Sequence, residues 1–219
     1  MYARVCSLFV VALICWEGEG RTYDDIISSL KSAISEKFGK RKDVATYSRT
    51  NACFGVGLKV VTEPNKQTLS LDNCNATFQT TEWEREPKVY YTDTLTEELY
   101  MLALLDPVSS VRREYNLMWL VANIEGSEFA EGDLSEADVL LPYHPLIVTE
   151  DSYRHRYQLI VFQQEAPYPL PFSPLLESER LNIPFFGYIR SLSEMTRFIG
   201  PQSGVQFYVT RTPDAQKGN

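Results

Sequence analysis

The apolar positions of this chain fall into three patterns: an unbroken start, one amphipathic stretch, and a series of short runs. Val5 to Trp16 is almost wholly apolar, yet shorter than the roughly 20 residues that a membrane span needs. Arg4 precedes it, and the small residues Gly18 and Gly20 follow. Residues 1–20 therefore read as a secretory signal with cleavage after Gly20. Ile26, Ile27, Leu30, Ala33, Ile34 and Phe38 then recur at helical spacing behind the capping-box sequence Thr22-Tyr23-Asp24-Asp25. Gly39 is a natural stop, so residues 21–49 are predicted as an amphipathic helix and a linker.

From residue 50 the runs shorten to strand length. Phe54 to Val61 alternates around Gly55 and Gly57, Pro64-Asn65 marks a turn, and Pro87 to Tyr91 is a short strand. Leu99 to Leu105, Leu117 to Ile124 and Tyr157 to Phe162 are apolar runs of the kind that suits strands covered on both faces. Pro107 has no N–H to give a ladder, which predicts that the strand from Leu99 ends at Asp106. Proline-rich connections follow at Leu141 to Pro145 and Ala166 to Pro174. Ser191-Leu192-Ser193-Glu194 has capping-box spacing and predicts a short helix stopped by Gly200-Pro201. Phe207-Tyr208-Val209 is a last strand, and residues 215–219 read as a polar, disordered tail. The pattern predicts a mainly β domain with few helices and long loops.

Charge narrows the choice of partner. Taking Arg4, Glu17 and Glu19 from 21 basic and 29 acidic residues leaves 20 and 27, a formal charge of −7 after cleavage. That balance argues against nucleic acid or an anionic membrane as the main partner. No later segment reaches spanning length. Cys6 and Cys15 leave with the signal, so Cys53 and Cys74 remain and predict one disulfide in an oxidising compartment. Asn75-Ala76-Thr77 beside it is a glycosylation sequon that export would make usable. These features together predict a secreted, extracellular protein.

Enzyme chemistry finds no foothold in the motifs. Only His144 and His155 supply imidazoles, and no cluster has zinc-ligand spacing, so no metal or cofactor is expected. Gly200-Pro201-Gln202-Ser203-Gly204 has the wrong spacing for a nucleophile elbow. Gly55-Val56-Gly57 lacks the rest of a dinucleotide fingerprint. Phe38-Gly39-Lys40-Arg41 keeps a different function open, that of a peptide-hormone precursor releasing an amidated peptide at Gly39-Lys40-Arg41. The other reading of that basic stretch is a solvated helix C-terminus that complements the dipole.

Two blocks carry a more specific pattern. The first is Leu99 to Pro107 followed by Leu117-Met118-Trp119-Leu120-Val121-Ala122-Asn123-Ile124; the second is Tyr153 to Gln164, containing His155-Arg156-Tyr157. With Phe198 to Phe207 as a closing segment, they resemble the phosphatidylethanolamine-binding protein family over residues 50–214. The resemblance implies a central antiparallel sheet, a smaller sheet, a few short helices and a small pocket for a phosphate or carboxylate. It places Asp106, Pro107, Met118, Tyr143, Pro145, His155 and Tyr157 at that pocket. Its departures fall there too. Val108 replaces a second aspartate, Met118 a histidine and Asn116 a tryptophan, and the loop between Pro107 and Leu117 is shortened. The resemblance thus implies a binding module with a partly degraded anion pocket. Such a module would bind a phospholipid head group or a small apolar molecule, or modulate a protease or a signalling protein.

Overall fold

The computed structural model describes residues 47–63, 65–109, 114–146, 148, 154–165, 169–171, 180–192 and 196–211. The predicted signal, the amphipathic helix with its Lys40-Arg41 pair, Glu194 of the second capping box and the polar tail lie outside them. All described residues belong to one compact unit, Val44–Asn219.

Two sheets organise this unit. A small antiparallel sheet has the order β2-β1-β4, from Leu58–Val61 (β1), Thr68–Ser70 (β2) and Lys88–Tyr91 (β4). A six-stranded sheet has the order β3-β9-β8-β5-β6-β7. Its strands are Thr77–Gln79 (β3), Leu99–Ser109 (β5), Glu114–Glu125 (β6), Asp138–Leu141 (β7), His155–Gln164 (β8) and Phe198–Thr210 (β9). All its pairings are antiparallel except β3 with β9. Gly126–Glu131 (α1) and Phe185–Leu192 (α2) are the α-helices among the described residues, and Thr80–Trp83 forms a 3-10 turn.

The long apolar runs become the middle of the large sheet because both of its faces are covered. On β5, Tyr100, Leu102 and Leu104 face a core shared with Leu58, Val60 and Val89 of the small sheet. Met101, Ala103 and Leu105 alternate onto the other face, against Phe185 and Ile189 of α2. A run with no polar partner residue is what two-sided burial requires. Each fully buried side chain of this size contributes roughly 1.5–3 kcal/mol.

Three sequence expectations are corrected. The strand from Leu99 passes through Pro107, which pairs with Tyr115. Tyr115 exchanges its backbone bonds with Ile183 instead of β5, so Pro107 sits at a non-hydrogen-bonded position and its missing N–H faces the β8 side. There the ladder has already closed at Leu105 with Gln158, and nothing is lost. The helix expected after Ser191 lies earlier instead, at Phe185–Leu192, and the Ser191 hydroxyl donates to the Tyr188 carbonyl at 2.7 Å inside its last turn. Phe198–Gly200 belongs to β9, and the strand expected from Phe54 begins only at Leu58.

Cys53 and Cys74 form the predicted disulfide, with Cα atoms 6.0 Å apart. No helix among the described residues is long and apolar enough to cross a membrane.

Candidate functional site

Asp106, His155 and Tyr157 meet on the face of the large sheet turned toward the small sheet. Leu105 pairs with Gln158 across β5 and β8, which sets Asp106 beside Tyr157 and one step from His155. His155 Nδ1 lies 3.3 Å from Asp106 Oδ1; the carboxylate is buried and the imidazole about a third exposed (36%). The two atoms form an electrostatic pair without the alignment of a full hydrogen bond. The Asp106 contact raises the His155 pKa above its ordinary value, and partial burial opposes it. Tyr157 is buried, its ring 5.6 Å from that of His155. Burial raises its phenol pKa, and the Asp106 carboxylate adds to the shift.

Met118 stands where the family resemblance expects a histidine. Leu104 pairs with Trp119 and Leu105 with Leu117, so Met118 is the extra residue of a β-bulge. The bulge turns both Met118 and Trp119 toward the small sheet, where Met118 packs into the core at 9% exposure. A thioether accepts hydrogen bonds weakly and donates none. Tyr143 reaches the same core from the connection after β7, edge-on to Trp119 at 5.8 Å. Its hydroxyl is committed to the Trp83 carbonyl at 2.7 Å. Pro107 is half-buried on β5. Pro145 is exposed, its carbonyl 2.9 Å from His144 Nδ1. Among the described residues no hydrogen bond or ion pair ties Pro145 to Asp106 or His155.

Two residues outside the expected set hold the site in place. Asn116 Nδ2 donates to Asp106 Oδ2 at 3.2 Å, while its Oδ1 accepts from the Asn182 amide at 3.1 Å. Arg180, only 6% exposed, donates to the carbonyls of Leu117 (3.1 Å), Met118 (3.3 Å) and Pro142 (3.3 Å). It thereby clamps the bulge to the start of the Pro142–Pro145 connection. Arg180 belongs to no motif. Asn116 stands where the family resemblance expects a tryptophan, and nothing in the sequence marks it as a partner of Asp106.

A small sheet packed on a larger six-stranded one, with few helices, is a phosphatidylethanolamine-binding-protein-like fold. Solved structures share the fold. A phosphatidylethanolamine-binding protein from Plasmodium vivax superimposes with a TM-score of 0.54 at 14% identity, covering 85% of this chain and 97% of that one. A carboxypeptidase Y inhibitor, solved in complex with its cognate proteinase, gives 0.51 at 14% identity, covering 85% and 95%. No family model and no curated protein matches the chain.

The carboxylate's hold on His155 can be measured directly. Asp106→Asn is expected to lower the His155 pKa, read from its ring signals in an NMR titration. Because the folded value is raised, the pair's stabilisation is complete below the ordinary imidazole value of 6.5. It is lost as pH rises through the raised value. The stability gap between the two proteins should therefore narrow over that window. An unchanged His155 titration would dissolve the pair.

Proposed function

We propose that the chain is a secreted, non-enzymatic binding module whose Asp106–His155 site is the remnant of an anion pocket. The observation that carries this reading is the 3.3 Å contact of a partly exposed imidazole with a buried carboxylate, with Met118, which cannot donate, where the resemblance expects a histidine. A histidine held this way can donate to a phosphoryl or carboxylate oxygen from its other ring nitrogen. An anion cage that has lost a donor is a poorer one. Each missing hydrogen bond to a charged ligand costs about 1.5–3 kcal/mol, or roughly ten- to a hundred-fold in affinity. Exposed Val108 (47%) follows Pro107 at the end of β5. The pocket therefore favours a neutral or apolar ligand, or the apolar shoulder of a lipid head group.

Isothermal titration with phosphoethanolamine tests this reading. The unmodified protein should bind weakly or not at all, and Met118→His should gain affinity. Tight binding by the unmodified protein, abolished by His155→Ala, would mean that the pocket is intact. Export enters the reading through the signal, the Cys53–Cys74 pair and the exposed Asn75 as a glycan site. The intact mass of the secreted protein reads cleavage and glycan together. Likeness to a proteinase inhibitor supports a second reading, a protease modulator. Residual hydrolysis by carboxypeptidase Y incubated with the chain decides that one.

A further inference from the structure

A depression of about 440 Å³ lies on the small sheet, and its lining includes none of the residues of the Asp106–His155 site. One side of it is a cross-strand row, Ser70–Lys59–Tyr90, set by the register of β2, β1 and β4. The other side is apolar: Val56 and Leu71 stand 59% and 41% exposed at the strand ends.

Both apolar side chains are held out by rigid backbone. Val56 sits between Gly55 (φ +73°) and Gly57 (φ +80°), conformations that favour glycine. A Cβ on Gly55 would lie 2.5 Å from the Gln202 carbonyl oxygen, and one on Gly57 2.7 Å from the Asp93 amide. Leu71 opens a turn in which Asn73 accepts from the Ser70 amide and donates to the Thr68 carbonyl, each at 2.7 Å. Those two bonds occupy the open edge of β2. The Cys53–Cys74 disulfide then joins the segment leading to Val56 with the turn that begins at Leu71. The frame holds two apolar side chains in water, a cost that a ligand would recover.

The polar side is cationic. Lys59 Nζ lies 5.6 Å from the Tyr90 ring centroid and makes no ion pair among the described residues. Lys88 Nζ lies 5.3 Å from the same ring and also acts on Asp133. Ser70 Oγ accepts from the Asp72 amide at 3.3 Å, which leaves its own proton to give. Asp72, the carboxylate in the lining, follows Leu71 one residue beyond the apolar side.

We propose that this depression binds an anionic amphiphile: a carboxylate or phosphate monoester read by Lys59 and Ser70, with its chain over Val56 and Leu71. Octanoate, octyl phosphate and octanol are the probes, followed through the methyl NMR signals of Val56 and Leu71 in the disulfide-bonded protein. Saturable shifts are expected with both anions, and binding of octanol at least about tenfold weaker. Lys59→Gln should cost about tenfold and Leu71→Asp should abolish binding, both at exposed positions. His155→Ala should change nothing. No saturation by about 10 mM, a range in which contacts are worth only a few kcal/mol, would overturn the proposal. So would equal affinity for octanol, indifference to Lys59→Gln, or loss of binding in His155→Ala. That last result would move the ligand to the other site without touching the reading proposed for it.

Discussion

Asn123→Leu is expected to cost about 4 kcal/mol of folding stability, counting about 1 kcal/mol for each of four side-chain hydrogen bonds. Asn123 occupies a second bulge on β6, where Tyr100 pairs with Ile124 and Leu102 with Val121. Its φ is +56°, a left-handed conformation that asparagine tolerates and leucine does not. Nδ2 donates to Asp138 Oδ2 at 2.6 Å and to the Leu170 carbonyl at 2.8 Å. Oδ1 accepts from Gln164 Nε2 and from the Leu170 amide, both at 2.8 Å. The side chain thus spends its full capacity tying β7, β8 and the Leu170 segment to β6. Denaturant unfolding measures the loss, and Asn123→Gly separates its parts, since glycine keeps the φ and drops the bonds. If glycine restored most of the stability, the backbone conformation would be the cause and the bonds incidental.

Replacing both cysteines, Cys53→Ser with Cys74→Ser, should cost about 3 kcal/mol by freeing the unfolded chain. The sequence separation of 21 sets that size. The folded arrangement should survive, because Gln206 holds both ends without the sulfurs. Its Oε1 accepts from the Ala52 amide at 3.0 Å, and its carbonyl accepts from the Asn75 amide at 2.8 Å. Amide NMR spectra should therefore superimpose away from residues 53 and 74 while the unfolding midpoint falls. Widespread shifts across β9 would show that the disulfide shapes the native state as well.

Both effects concern residues whose partners are distant in sequence, and the same holds for the candidate site. The aspartate and histidine stand 49 positions apart and meet only because β8 pairs with β5. The family resemblance pointed to them; their spacing could not. Gln158 sits within the run from Tyr157 to Phe162 and is fully buried. It is satisfied there by Tyr47, Gln206 and the Arg49 carbonyl, partners that periodicity cannot reveal.

The short strands escaped the sequence reading for a related reason. β2, β3 and β7 have three or four residues each, too few for an alternation to register. They exist because longer strands offer them an edge: β3 rests on β9, and β7 on β6.

What the sequence determined by itself is what local composition controls. Runs buried on both faces have no polar alternative, so β5, β6 and β8 are legible, as is the pairing of Cys53 with Cys74 once Cys6 and Cys15 are assigned to the predicted signal. The tertiary structure decided the rest. Pro107 stays in its strand because of which side its nitrogen faces, and Met118 turns inward because a bulge shifts the register. Arg180 is buried because three carbonyls from β6 and the Pro142 connection converge on it. Each of these outcomes depends on a neighbour supplied by a remote part of the chain, and that neighbour exists only once the sheet has formed.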